Sequence, residues 1–379
     1  MCRPVQARHG RVYHGEPMIP SLLLIVAVLN ATTSAAPQPA TREHFLELID
    51  RPQVAPAAEW TKVRADDASL AQFHFSYASD ANHRVPGILV RSASAPAGKR
   101  MPVVIALHGT GGTKESQLPL MRELASRGFI AVAIDGPHHG ERTKAGKGSE
   151  EYQAAIVQAW RDQGKKSHPF FYDTVWDVMR LIDVLETRDD VDPARIGLYG
   201  VSKGGIETYL AAAVDPRVAV AVPCIGLQSF QWENENDGWH SRIGTIQQAF
   251  DAAVKESGVT TPDGKFVHQF YERVAPGIDG EFDGPAMAPL IAPRALMIIN
   301  GDSDPRTPLP GLKLCTDAAE AAYREANASD HLNVRIQPQT GHKVNADSQA
   351  AAVEWFVKWL KADTPSTTQP AAASRPQAH

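Results

Sequence analysis

The sequence predicts an open, mostly parallel α/β sheet of about eight strands with helices over both faces. Three observations carry this: short, almost purely apolar runs that suit strands buried on both faces, amphipathic segments at helical spacing between them, and Gly- or Asp-rich punctuation where the runs end. Val103–Leu107 and Phe129–Ile134 are the clearest runs, and Leu118–Arg127 fits the crossover helix that parallel neighbours require. Further strands are expected at Ile196–Tyr199, Val218–Val222, Ala295–Ile299 and Leu332–Ile336. Phe73–Tyr77 and Val85–Val90 flank the turn residues 79–82 and predict an antiparallel hairpin at the start. Val175, Val178, Met179, Ile182 and Leu185 share one helix face; Val353, Phe356, Val357 and Leu360 share another near the end.

A chain of 379 residues gives a length prior of about two to three domains but leaves one large α/β domain open. With 43% hydrophobic and 21% charged residues it fits neither a disordered polymer nor a multispan membrane protein. A net charge of −5 offers a polyanion no long-range attraction, so nucleic-acid binding is not expected. Arg3, Arg8 and Arg11, the apolar run Leu22–Leu29 and the small residues up to Ala36 read as a secretory signal over residues 1–36, with Met18 as an alternative start. Eight apolar residues are far short of the roughly 20 a spanning helix needs, so a secreted or periplasmic protein without a permanent membrane anchor is expected. Residues 364–379 have the composition of a disordered tail, leaving 37–363 for the α/β domain.

In open parallel sheets, chemistry collects where strands end. After Tyr199 comes Gly200-Val-Ser202-Lys203-Gly204, a GxSxG between a short strand and an immediate helix, which is the setting that makes the motif informative. A serine hydroxyl needs a base, and the base an orienting acid. Asp304 lies 102 residues on, after the strand Ala295–Ile299, and His342 another 38 residues on, after Leu332–Ile336. Asp304 is preferred to Asp302 because the turn must clear the strand before a carboxylate can reach the imidazole; Asp302 is then a turn residue bonding its own backbone. The glycine-rich loop His108–Gly112 frees backbone amides, and those of Thr110 and Lys203 are the candidate oxyanion donors.

These pieces resemble the α/β-hydrolase superfamily, in particular esterases related to dienelactone hydrolase and acetyl xylan esterase. His108-Gly109, Asp135 to Arg142, the Ser202 elbow, Gly301 to Asp304 and Gly341-His342 carry the resemblance. It implies a Ser202, Asp304, His342 triad acting on small or carbohydrate-linked esters through an acyl-enzyme, with no cofactor. Serine at the nucleophile, where dienelactone hydrolase-like enzymes often have cysteine, favours ordinary ester hydrolysis. Lys203 stands where glucuronoyl esterases carry arginine, which raises recognition of an acidic substrate; a structural ion pair is the other reading.

His138 and His139 suggest a metal, but adjacent side chains diverge and no ligand spacing accompanies them, so no metal is expected. Glu141 and Arg142 are read as holding that loop together, and Asp177 as a solvated helix charge. The stretch 226–290 exceeds a strand-helix-strand step and reads as an inserted cap. Its Trp232, Trp239 and Arg242, with His108 and His138, are candidate substrate contacts, although the aromatics equally suit the cap's own core. Cys224 and Cys315 leave pairing open. Two other functions stay in view: a compact prolyl-oligopeptidase-like serine peptidase, and a non-catalytic binding protein on a hydrolase scaffold.

Overall fold

Strand β1 (Glu59–Val63) opens a nine-stranded sheet at its edge, one strand more than the apolar runs suggest. It was illegible because its residues are largely exposed, so no buried alternation marks it. A computed structural model describes residues 38–95, 98–144, 149–165 and 167–361; the leader and tail expected from the sequence lie outside them. The described residues fall in one unit.

Before β1 comes helix α1 (Gln38–Ile49). Strands β2 (Leu70–Ala78) and β3 (Arg84–Ser92) form the expected antiparallel hairpin. Then follow β4 (Met101–Leu107), α2 (Leu118–Ser126), β5 (Ile130–Ile134), α3 (Glu150–Asp162), α4 (Tyr172–Glu186), β6 (Val191–Val201), α5 (Lys203–Val214) and β7 (Val218–Cys224). The segment 225–294 carries α6 (Phe230–Glu235), α7 (His240–Ile243), α8 (Gln247–Ser257), α9 (Gly264–Val274) and α10 (Gly284–Met287). The chain ends through β8 (Ala295–Gly301), α11 (Leu309–Glu325), β9 (Leu332–Gln337) and α12 (Ala346–Leu360).

The strand order is β1-β2-β3-β5-β4-β6-β7-β8-β9, parallel from β5 to β9. Between β5, β4 and β6 the chain reverses its direction of travel across the sheet, which opens a crevice at the carboxyl ends of β4 and β6. One core layer packs α2 and α12 on the sheet through Leu120, Leu124, Val353 and Phe356. The other takes in α4 and α5 together with Phe250, Phe266 and Phe270 of the inserted segment. Parallel strands buried on both sides explain why β4, β5 and β8 are buried at every position. Cys224 and Cys315 are both buried free thiols.

Candidate active site

Ser202 sits between β6 and α5 with φ 58° and ψ −115°, a left-handed conformation that a non-glycine residue adopts only when its surroundings dictate it. Neighbouring glycines permit it. A Cβ on Gly200 would lie 2.0 Å from the Gly204 carbonyl oxygen, and one on Gly204 2.4 Å from that of Leu107. The Ser202 N–H donates to Cys224 O at 2.9 Å and its carbonyl accepts from the Ile206 N–H, so the turn is held from both sides. What remains free to face the crevice is the hydroxyl.

That hydroxyl lies 2.7 Å from His342 Nε2, and His342 Nδ1 lies 2.8 and 3.0 Å from the two Asp304 carboxylate oxygens. Three residues from three strand ends thus form one hydrogen-bonded line. Burial lowers the His342 pKa, the Asp304 carboxylate pulls it back up, and the Arg242 and Arg306 cations push it down again; the outcome lies below the ordinary imidazole value. Burial also raises Asp304, but its bonds to His342, the Arg306 amide and Thr307 prevail and hold it below the usual carboxylate range. At neutral pH the pair is therefore a neutral imidazole backed by a carboxylate, the state a general base needs.

Asp302 does more than bond its own backbone. Its carboxylate accepts the amides of Gln339 and Thr340 at 2.8 and 3.1 Å, tying the acid turn to the loop that carries His342. Asn300 and Thr307, which the sequence did not single out, exchange side-chain and backbone hydrogen bonds across the base of the same turn.

The loop after β4 approaches the elbow closely: a Cβ on Gly109 would lie 3.3 Å from Val201 O and 3.5 Å from Ser202 Cβ. Neither the Thr110 nor the Lys203 N–H donates to a backbone carbonyl outside the regular elements, and Lys203 is the first residue of α5, where helical amides have no internal partner.

Several expected substrate contacts are corrected. His108 is 2% exposed: Nδ1 donates to Gly109 O and Nε2 accepts from the Gly136 N–H. Burial, with Lys203 nearby, drives its pKa to about 3, so it is a neutral brace between two loops and not a surface that meets substrate. The Lys203 ammonium turns away from the crevice into a buried ion pair with Glu207, beside Thr174, so the side chain is structural. Trp239 is buried against Phe250 in the inserted segment's core. Arg242 is also buried; its guanidinium bonds Gln228 and the Arg306 carbonyl, so it supports the Asp304 turn from behind. His138 lines a separate cleft of about 890 Å³ with Arg51, His83 and Arg84, while His139 points inward against His108 and Tyr152. Trp232, half-buried and beside Gly311, is the one candidate aromatic left partly open. Asp177 is no solvated charge: it is buried and pairs with Arg142 at 2.5 Å. Glu141 does hold the loop, through Lys114, which also pairs with the buried Asp135. Asp177's place among Val175, Trp176, Val178 and Met179 was the signal for its burial, and the i, i+4 spacing from Lys203 was one for Glu207; for Gln228 the sequence offered none.

Among known proteins, the family model of fungal glucuronyl esterases matches residues 89–327, well over half of the chain. The chain belongs to the glucuronyl esterase family. It is a carboxylic-ester hydrolase of α/β-hydrolase fold, as its motifs led us to expect. It is 28% identical over 238 residues to the Bacillus subtilis protein YtaP, covering 63% of this chain and 67% of that one. It is also 28% identical over 260 residues to the 4-O-methyl-glucuronoyl methylesterase of Hypocrea jecorina, covering 67% and 51%. The chain spans about half the length of the glucuronoyl methylesterases it matches. An acetyl xylan esterase from Paenibacillus sp. R4 shares the fold, with a TM-score of 0.61 at 20% identity over 85% of this chain and 94% of that one. Among the described residues no helix is long and apolar enough to cross a membrane.

Proposed function

We propose that this protein hydrolyses carbohydrate-linked esters, foremost esters of a uronic acid, through an acyl-enzyme on Ser202. The observation that carries this reading is the line Ser202 Oγ, His342, Asp304, with both links at hydrogen-bond length. Ser202 Oγ bonds to the ester carbonyl carbon as its proton passes to His342 Nε2, and the Thr110 and Lys203 amides receive the developing oxyanion. The leaving alcohol departs with that proton. Water then gives a proton to His342 as it attacks the acyl carbon, and the proton returns to Ser202 when the acid leaves. Burial of the Lys203 ammonium agrees with a uronate ester, whose reacting carboxyl is esterified and carries no charge for a lysine to bind. The unbroken triad argues against a decayed, non-catalytic scaffold.

The test is a rate comparison on methyl glucuronate, acetylated xylo-oligosaccharides, p-nitrophenyl acetate and aminoacyl anilides. The methyl uronate should give the highest kcat/KM; a preference for the acetylated sugars or the anilides would overturn the substrate assignment, the latter in favour of a peptidase. We also propose export, on the basic residues and apolar run of residues 3–29. N-terminal sequencing of the mature protein should then begin just after Ala35 or Ala36.

A further inference from the structure

Apart from the triad, a second cluster lies within the inserted segment, where α9 meets α6 and the turn before α10. His268 and Glu272 are one helical turn apart on the exposed side of α9, the i, i+4 spacing that lets two side chains converge on one ligand. Asp279 reaches in from the following turn, and the ligand-type atoms of the three residues lie within 4.8 Å of one another.

Two buried oxygens set this cluster apart from an ordinary surface group of charges. Asp279 is 6% exposed; its Oδ2 accepts from His268 Nδ1 at 2.8 Å and from Asn234 Nδ2 at 2.7 Å, but its Oδ1 is buried with no hydrogen-bond partner. The Asn234 Oδ1, on the same amide that contacts Asp279, is likewise buried and unpartnered. Buried acceptors in native proteins almost always find a donor or a cation. Among the described residues the sole ion-pair partner of Asp279 is the half-exposed His268. The turn is already shaped for the task, since Glu272 Oε1 accepts from the Gly277 N–H at 3.0 Å and fixes the backbone just before Asp279.

We propose that His268, Glu272 and Asp279 form a divalent-cation site of zinc class, with Asn234 holding the Asp279 carboxylate in place. One imidazole nitrogen with two carboxylates suits a borderline ion such as Zn²⁺, whereas Ca²⁺ and Mg²⁺ favour all-oxygen sets. On loading, the ring proton moves by way of solvent from His268 Nδ1 to Nε2, so that the Nδ1 lone pair faces the metal where it now bonds Asp279, and the ion gives the second Asp279 oxygen the partner it lacks. The ion takes no part in ester cleavage. It braces α6, the helix of Trp232 and Glu233, against α9 and the turn that leads to Asp283, whose carboxylate binds the first amides of α6.

The test uses the full chain, freed of metal with a chelator and titrated with ZnCl2, read by calorimetry and by thermal unfolding. One equivalent should bind and raise Tm, as any ligand specific to the folded state does. CaCl2 and MgCl2 should do neither at the same concentration. His268→Ala also removes the Asp279 ion pair and Glu272→Ala the Gly277 contact, so each is read against its own metal-free Tm, and each should bind Zn²⁺ at least about tenfold more weakly than the parent. Asp279→Asn should abolish the metal-dependent rise in Tm. Absence of Zn²⁺ binding, tighter Ca²⁺ than Zn²⁺ binding, or parental affinity in His268→Ala would overturn the site; the last would assign the ion to other histidines of the 14 in the chain.

Discussion

His108 and His342 both follow parallel strands at the same end of the sheet, and both are largely withdrawn from water, yet their chemistry is opposite. His108 has each ring nitrogen committed to backbone, one as donor to Gly109 O and one as acceptor from Gly136 N–H. His342 has one nitrogen on the Asp304 carboxylate and the other on the Ser202 hydroxyl, a group that can give up a proton. Burial depresses both, but only His342 is hydrogen-bonded to a carboxylate that offsets it; His108 feels Glu115 weakly and at a distance. Both are strand-end residues, and the partners of each, more than burial, separate a ring poised to take a proton from one that braces two loops.

The sharpest break in the comparison comes from removing the proton donor on one side and the brace on the other. Ser202→Ala should cost about 10⁶-fold in kcat with the fold intact, as in other serine hydrolases. His108→Leu strands the Gly136 amide and should lower stability by about 1–3 kcal/mol while retaining more than a tenth of wild-type kcat. A dead but stable His108→Leu enzyme would place that ring in the chemistry.

The two aspartates of one turn give the next largest contrast. Asp304→Asn should reduce kcat by about 10⁴-fold, because the imidazole loses its orienting charge. Asp302→Asn keeps one of the two oxygens that accept the Gln339 and Thr340 amides and leaves the triad untouched, so it should cost about tenfold or less. The reverse ranking in steady-state rates would move the acid to Asp302.

Lys203→Met sharpens the distinction between backbone and side chain. The amide stays, but Glu207 is left buried without its cation, so stability should fall by about 3–5 kcal/mol in denaturant melts. The fractional loss of kcat/KM should be equal on neutral and acidic esters. A selective loss on acidic esters would return the ammonium to the substrate pocket.

The smallest effect is on pH dependence. A His342 pKa below the ordinary value moves its protonation to lower pH, so the midpoint of the acid limb of kcat/KM should lie below that of a free imidazole. Arg242 contributes to that lowering, so Arg242→Gln should move the acid limb to higher pH. An unmoved limb would leave burial and Arg306 as the causes of the depression.

Sequence alone determined the parallel sheet, because strands buried on both faces must be written as uninterrupted apolar runs, and it marked the Ser202 elbow, because only glycines tolerate such close backbone approach. It also ordered serine, acid and histidine at successive strand ends. Exposed β1 left no such trace. Only the tertiary structure decided which polar side chains face the crevice: Asp177 looked like a free charge until its buried partner Arg142 arrived from elsewhere in the fold, and Lys203 is drawn into a buried pair with Glu207 one turn along its own helix. The i, i+4 pairing of Lys203 with Glu207 is visible in the sequence, but its direction is set by α4 and the loop after β5 packing over it. Burial and partnership across distant segments are properties of the packed chain, and they, more than residue type, fix whether a histidine or lysine reacts or supports.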